Sequence, residues 1–305
     1  MLARLLRRLL GVQVLCGAWL GWYISPTSGT QPELMALWAL GLPLLIGLGG
    51  TLLTTVKSRT PGSAAPWWRA LPGVFVAGIR VFVVRQPWAL ARPNFQAALP
   101  AAAPRIPVLL VHGYICNHRV WDDVAPALRA AGHPVFTVDL EPLFTSIDDY
   151  APLVEQAVAE LCRQTGAQKV ALVGHSMGGL VIRAWMRAHG INRVARVVTL
   201  GSPHVGTQID PYPQTANGVQ MAWYSDWLQA LADSESSATR QLIRIALTLQ
   251  DNIVYPQQVQ VLAGAQVTVF EGMGHLELCL NRQVIAWLLG QLDDLASDGR
   301  AESRP

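Results

Sequence analysis

Ser176 lies in the hexapeptide Gly174-His175-Ser176-Met177-Gly178-Gly179, between an apolar β-branched run (Lys169-Val170-Ala171-Leu172-Val173) and a helix-like run (Leu180-Val181-Ile182-Arg183-Ala184-Trp185-Met186). A strand that turns sharply into a helix holds a serine in a strained conformation, with its Oγ clear of the backbone. Gly174 and Gly178 suit that turn, because a Cβ at either place would collide with the neighbouring strand or helix. The helix opening at Met177 aims its N-terminal amides and positive dipole end at the place where an oxyanion would form. These residue types at this spacing point to a serine nucleophile.

Such a nucleophile needs a base for the hydroxyl proton, an acid to orient the base, and donors for the oxyanion. Of the seven histidines, His275 is best placed, in the loop Gly272-Met273-Gly274-His275 directly after the last strand-like run. Asp251 follows the strand-like run 243–249 and precedes Asn252-Ile253-Val254-Tyr255-Pro256, 24 residues before His275. From a strand's C-terminal end its carboxylate reaches an imidazole one strand away. Asp226 and Asp233 compete less well, because they sit in a region that reads as a helical insertion. One oxyanion donor is expected at the amide of Met177. The other is expected after Val108-Leu109-Leu110-Val111-His112-Gly113-Tyr114, where Gly113 lets the chain turn so that the amide of Tyr114 points inward; Ile115 is the weaker choice. His112 reads as a structural hydrogen-bonder.

The elements that must carry these residues are legible from Pro107 onward. Short apolar runs at 108–111, 135–138, 170–173, 194–200, 243–249 and 267–270 read as buried parallel strands. Helical stretches, notably 148–165 and 177–189, separate several of them, which implies an α/β fold with a mostly parallel, doubly wound sheet. Between Gly206 and Arg240 lies an insertion that includes Tyr212, Met221, Trp223, Tyr224, Trp227, Leu228 and Leu231.

The N-terminal third differs in kind. Residues 1–105 hold ten Lys/Arg and one acid, Glu33, whereas residues 106–305 hold thirteen Lys/Arg and nineteen acids. A basic, apolar arm suits an anionic membrane surface, and the acidic remainder argues against a nucleic-acid partner. An apolar span at 9–24 follows Arg4, Arg7 and Arg8. A second, 34–56, is uncharged for 23 residues, about 35 Å as a helix and enough to cross a hydrocarbon core. Between them lies a polar turn without basic residues. A helical hairpin is favoured over a cleaved signal peptide, because no small-x-small cleavage site precedes the second span. The basic flanks place both ends in the cytoplasm. The stretch 66–88 alternates apolar residues with Arg69, Arg80 and Arg85; it suits either the membrane interface or packing on the following domain. Residues 93–104, rich in alanine and proline, read as a linker. Cys16, Cys116, Cys162 and Cys279 match no zinc pattern or dense disulfide framework. Buried thiols are favoured for Cys116 and Cys279.

His112-Gly113, Gly174-His175-Ser176-Met177-Gly178-Gly179, Gly201-Ser202-Pro203-His204-Val205-Gly206-Thr207, Asp251-Asn252-Ile253-Val254 and Gly274-His275 together resemble the α/β-hydrolase superfamily, and bacterial triacylglycerol lipases and esterases in particular. The resemblance covers about residues 106–292. It implies the order nucleophile, acid, histidine, and so the triad Ser176, Asp251 and His275. It further implies an acyl-enzyme mechanism on carboxylic esters with no organic cofactor. Some of these lipases carry a structural calcium, but the matching carboxylate cluster is not seen here, so no metal is expected. An insertion at 206–240 would lie over the site in this fold. Its Trp223, Tyr224 and Trp227 then either bind an acyl chain or pack on the domain.

The expected organisation is a membrane anchor of two transmembrane helices (1–60), an interfacial helix and linker (61–105), an α/β-hydrolase domain (106–292) with a cap insertion at about 206–240, and a disordered tail (293–305). The expected function is hydrolysis of lipid-like esters at a bacterial inner membrane, with the domain facing the cytoplasm. Acyl transfer through the same triad, or a non-catalytic membrane scaffold with this fold, are the alternatives.

Overall fold

The computed structural model describes all residues except 26–30, 61, 63, 92, 100–104, 210–213, 294 and 296–305. Of the expected tail, only Asp293, which ends a helix, and Leu295 fall among the described residues.

Two long helices, α1 (Leu2–Tyr23) and α2 (Pro32–Ser58), pack against each other. Gly17 and Gly21 make the close approach feasible: a Cβ on Gly17 would stand 2.1 Å from the Trp38 carbonyl oxygen, and one on Gly21 2.6 Å from that of Leu34. Small residues four apart serve helix pairs in membranes in the same way. Away from this seam the surface is apolar and open, with Leu15 and Leu40 each 71% exposed. By length and composition α2 can cross a membrane, and so can the stretch Ala65–Trp88.

Neither end of this hairpin stands apart from the rest of the chain. The N-terminal amine pairs with Glu141, Leu2 and Leu6 pack on Leu143, and Arg7 Nη1 donates to the Pro87 carbonyl at 2.9 Å. The third helix, α3 (Ala65–Ile79), continues through a π-helical segment, Arg80–Arg85, and a 3₁₀ turn, Gln86–Trp88. Within 61–105, expected as interfacial helix and linker, this stretch packs on the following domain. Trp67, Ala70, Ala77 and Val81 are buried, and Arg80 and Arg85 pair with Asp123 at 3.1 and 2.7 Å. The stretch 93–104, expected as a linker and of which 100–104 lie outside the described residues, is in part a strand. Phe95–Gln96 forms strand β1, because the edge of the sheet still has unpaired backbone groups to offer it.

The remaining strands are β2 (Val108–Val111), β3 (Val135–Val138), β4 (Val170–His175), β5 (Val194–Leu200), β6 (Ile243–Thr248) and β7 (Gln266–Phe270). Their order is β1-β3-β2-β4-β5-β6-β7, parallel throughout except for β1, which runs antiparallel to β3. Uninterrupted Val, Leu and Ile runs suit a sheet covered on both faces. Helices α4 (Val124–Ala130), α5 (Ala151–Thr165) and α6 (Met177–His189) supply much of that cover. α5 and α6 share one core with the sheet, and α4 shares the other with the C-terminal helix. Three short helices occupy the insertion: α7 (Ala216–Gln220), α8 (Asp226–Asp233) and α9 (Ser237–Gln241). α10 (Arg282–Asp293) closes the fold. After β2 the chain steps to one side and after β3 to the other. The C-terminal ends of β2 and β4 therefore flank a topological switch point, where ligands of open α/β sheets bind.

Candidate active site

Ser176 sits at that switch point, between β4 and α6, with φ 55° and ψ −126°. Left-handed backbone of this kind strains any residue bearing a Cβ, and it persists only where the surroundings enforce it. The enforcement is steric. A Cβ on Gly174 would meet the Gly179 amide nitrogen at 2.5 Å, and one on Gly178 would meet the Val111 carbonyl oxygen at 2.1 Å. The two glycines thus let α6 press onto β4 and β2, and Ser176 takes up the resulting turn.

His275 and Asp251 meet. His275 Nδ1 lies 2.7 Å from Asp251 Oδ2, both side chains are buried, and β6 and β7 bring their loops together. The other carboxylate oxygen, Oδ1, accepts from the amides of Ile253 and Val254 at 2.9 and 2.7 Å, which fixes the carboxylate plane. Ser176 and His275 line one cavity of about 620 Å³. The Tyr114 loop is equally close to the serine: a Cβ on Gly113 would stand 2.7 Å from Ser176 Cβ and 3.3 Å from its Oγ. Met177 opens α6, so its amide has no intrahelical acceptor. His112 steadies the Gly113 turn by donating from Nδ1 to the Gly113 carbonyl and accepting at Nε2 from the Leu140 amide, both at 2.9 Å. Burial, partly opposed by Asp139, lowers its pKa and keeps it neutral. The His175 ring lies 4.6 Å from that of His275, tilted at 46°, and donates from Nε2 to the His275 carbonyl at 3.3 Å. Burial and the adjacent His275 hold its pKa well below the usual value, so it too stays neutral.

Several neighbours of the site take roles that the sequence motifs did not assign to them. Gly201, with φ 61°, leaves room for the acid–base pair; its Cβ would come within 3.2 Å of Asp251 Oδ2 and 3.1 Å of His275 Nδ1. Asn252 accepts from the His275 amide at 3.3 Å and donates to Thr54 Oγ1 of α2 at 3.0 Å. Gln257 donates to both the Asp251 and Ser58 carbonyls, at 2.8 and 3.1 Å. Gly274 admits Val74 of α3, whose Cγ2 would be 2.5 Å from an added Cβ. That glycine serves close packing. Cys116 lines the cavity and Cys279 is buried; both are free thiols, and burial pushes Cys116 up to about 12.

Among the described residues the insertion meets the cavity at Ile209, and its three candidate aromatics, Trp223, Tyr224 and Trp227, lie elsewhere. Trp227 instead donates to Asp148 at 2.8 Å and lies under the Arg187 guanidinium. Glu235 pairs with the buried Arg183 of α6 at 2.6 Å. These contacts hold the insertion on the α6 side, while α1, α2 and α3 wall the cavity opposite Ser176.

A mostly parallel sheet with a strained serine at its switch point and a buried acid–histidine pair across it defines the class. Residues 106–244 match the model of the family described as alpha/beta hydrolase fold. Over these residues the chain has the α/β-hydrolase fold and is similar to bacterial lipases. It is 32% identical to a triacylglycerol lipase of Burkholderia plantarii over 173 residues, covering 53% of this chain and 46% of that protein. A triacylglycerol lipase of Pseudarthrobacter phenanthrenivorans is 35% identical over 122 residues, covering 37% of this chain and 38% of the other. The chain thus spans less than half the length of these curated relatives. Among solved structures, the mature form of the Bacillus licheniformis lipase BlEst2 superposes with a TM-score of 0.54 at 19% identity, over 64% of this chain and 98% of the other, a likeness of fold.

Proposed function

We propose that the protein is a membrane-associated serine hydrolase of carboxylic esters, with lipid-like esters as substrates. The observation that carries the reading is the buried 2.7 Å pair of His275 and Asp251, sharing one cavity with a serine in a strained strand-to-helix turn. Ser176 Oγ attacks the ester carbonyl while His275 takes its proton. The proton passes to the departing alkoxide, which leaves as the alcohol, and the acyl group remains on Ser176. Water then attacks this ester with His275 again as base, releasing the carboxylic acid and restoring the serine. Asp251 holds the imidazole in the required tautomer. The amides of Met177 and Tyr114 receive the oxyanion; each such donor stabilises the transition state by about 3–4 kcal/mol.

Membrane association is supported by the open apolar surface of α1 and α2 and by their glycine seam. The basic flanks favour the cytoplasmic side of a bacterial inner membrane for the hydrolase-fold domain. The test is Ser176→Ala, which should abolish both ester turnover and labelling by a serine-directed phosphonate while the fold is retained. Persistent labelling at another residue would overturn the assignment.

A further inference from the structure

The wall facing Ser176 belongs to the N-terminal helices, and resting on the ester-hydrolase reading we propose that α2 and α3 form the acyl-chain site, with Gly50 and Gly78 setting its depth. The cavity that holds Ser176 and His275 continues between these helices, past Val74, Phe75 and Ile79 on one side and Ile46 on the other. The hydroxyls of Thr51 and Thr54, which also line it, donate back to their own helix at 2.9 and 3.1 Å. An apolar channel beginning at a nucleophile fits the acyl part of an ester better than its polar part.

The two helices are fastened at the site end. Thr54 accepts from Asn252, the Ser58 carbonyl accepts from Gln257, and Gly73 of α3 lies against the Glu277 carboxylate, which an added Cβ would meet at 2.5 Å. The wall is therefore held in register with the loops bearing Asp251 and His275. From Leu34, beside the polar turn, to Thr54 is about 30 Å of helix, the thickness of a hydrocarbon core. With that turn at the far interface, Gly47 to Thr54 lie at the depth of the near leaflet, where the occupant is an acyl chain.

The glycines show where the depth is set. At Gly47 an added Cβ would touch Phe75 and Ile79 at 3.7 Å, where α2 and α3 meet. At Gly50 and Gly78, both cavity-lining, an added Cβ meets nothing within 4 Å, so the space beside them belongs to the channel. Gly49 also has open space but does not line the cavity.

The experiment compares Gly50→Leu, Gly78→Leu and Gly49→Leu with wild type, as full chains in nonionic micelles, on p-nitrophenyl laurate and butyrate. Burial of each methylene is worth about fourfold in kcat/KM. A leucine that displaces three methylenes should lower the laurate-to-butyrate ratio about 50-fold at position 50 or 78. Gly49→Leu should leave the ratio within about twofold, since it adds its side chain outside the cavity. Gly50→Ala and Gly78→Ala, which favour the helix, should give a smaller shift in the same direction. Labelling by a short-chain phosphonate reports that each variant has an assembled site. An unchanged ratio in labelled Leu variants at both positions would overturn the acyl-site assignment alone. A wild-type chain that neither turns over ester nor labels at Ser176 would overturn the underlying reading, and the inference with it.

Discussion

Asp251→Asn is the sharpest probe of the site, because the structure dictates which way the new amide must face. In the native protein Oδ1 accepts from the Ile253 and Val254 amides, and Oδ2 lies 2.7 Å from His275 Nδ1. Asparagine offers one oxygen and one NH₂ group to these partners. Turning the NH₂ toward Ile253 and Val254 would set donors against two amide donors. Each buried group left unpaired costs about 1–3 kcal/mol, so the oxygen stays with the amides. The NH₂ then faces His275 and forces Nδ1 to accept, which moves the ring proton to Nε2. An imidazole protonated at Nε2 cannot take the Ser176 proton. The expected loss in kcat is about 10⁴-fold, the size seen when a triad histidine is held in the wrong tautomer. The assay is butyrate ester turnover under single-turnover conditions, with a thermal melt to show the fold intact. Asp226→Asn, on α8 and remote from the pair, serves as control and should leave turnover unchanged. A folded Asp251→Asn variant within about tenfold of wild type would refute the orienting role of Asp251.

Two further outcomes follow from the packing and burial. Glu235→Ala leaves the fully buried Arg183 guanidinium without its carboxylate, so stability should fall by about 3–5 kcal/mol in urea unfolding, with earlier proteolysis in 206–240; a loss below about 1 kcal/mol would show the pair to be dispensable. His112, His175 and His204 all have pKa values lowered chiefly by burial, so the unfolded chain binds protons near pH 6.5 that the folded chain does not. Their stabilisation is complete above pH 6.5 and declines as pH falls below it, by up to about 1.4 kcal/mol per pH unit for each histidine. Melting temperature measured from pH 7.5 to 5 should therefore drop, and a flat profile would contradict the neutral, buried state of these rings.

How much of this was legible in the sequence depended on how far each feature reaches through space. The β-branched runs gave β2 to β6 because a two-sided buried strand has a local signature; β7, expected to be buried as well, lies at the sheet edge with Val267 and Val269 exposed. The elbow at Ser176 was legible because its glycine spacing is local, although only Gly174 answers near neighbours in the chain (Gly178 and Gly179) while Gly178 answers Val111 of β2. Asp251 and His275 could be paired because chain order and sheet adjacency constrain which strand ends meet. β1 had no such signature, since two residues of alanine- and proline-rich chain become a strand only when an edge is present to pair with.

The cavity wall was beyond reach of this reasoning. Trp223, Tyr224 and Trp227 have the composition expected of an acyl site, yet contacts with Asp148, Arg187 and Arg183 hold the insertion elsewhere. Leu40 and Ile46 lie on the same apolar helix, but Ile46 lines the cavity and Leu40 faces outward. A helix face turned to lipid and one turned to an apolar channel bury the same kinds of residue, so periodicity cannot separate them. The sequence by itself singled out Ser176, Asp251 and His275 as candidates and marked the sheet that carries them. Only the tertiary structure decided that the N-terminal helices, read as an anchor, also close the site, because that outcome rests on contacts such as Asn252 to Thr54 between residues nearly two hundred positions apart.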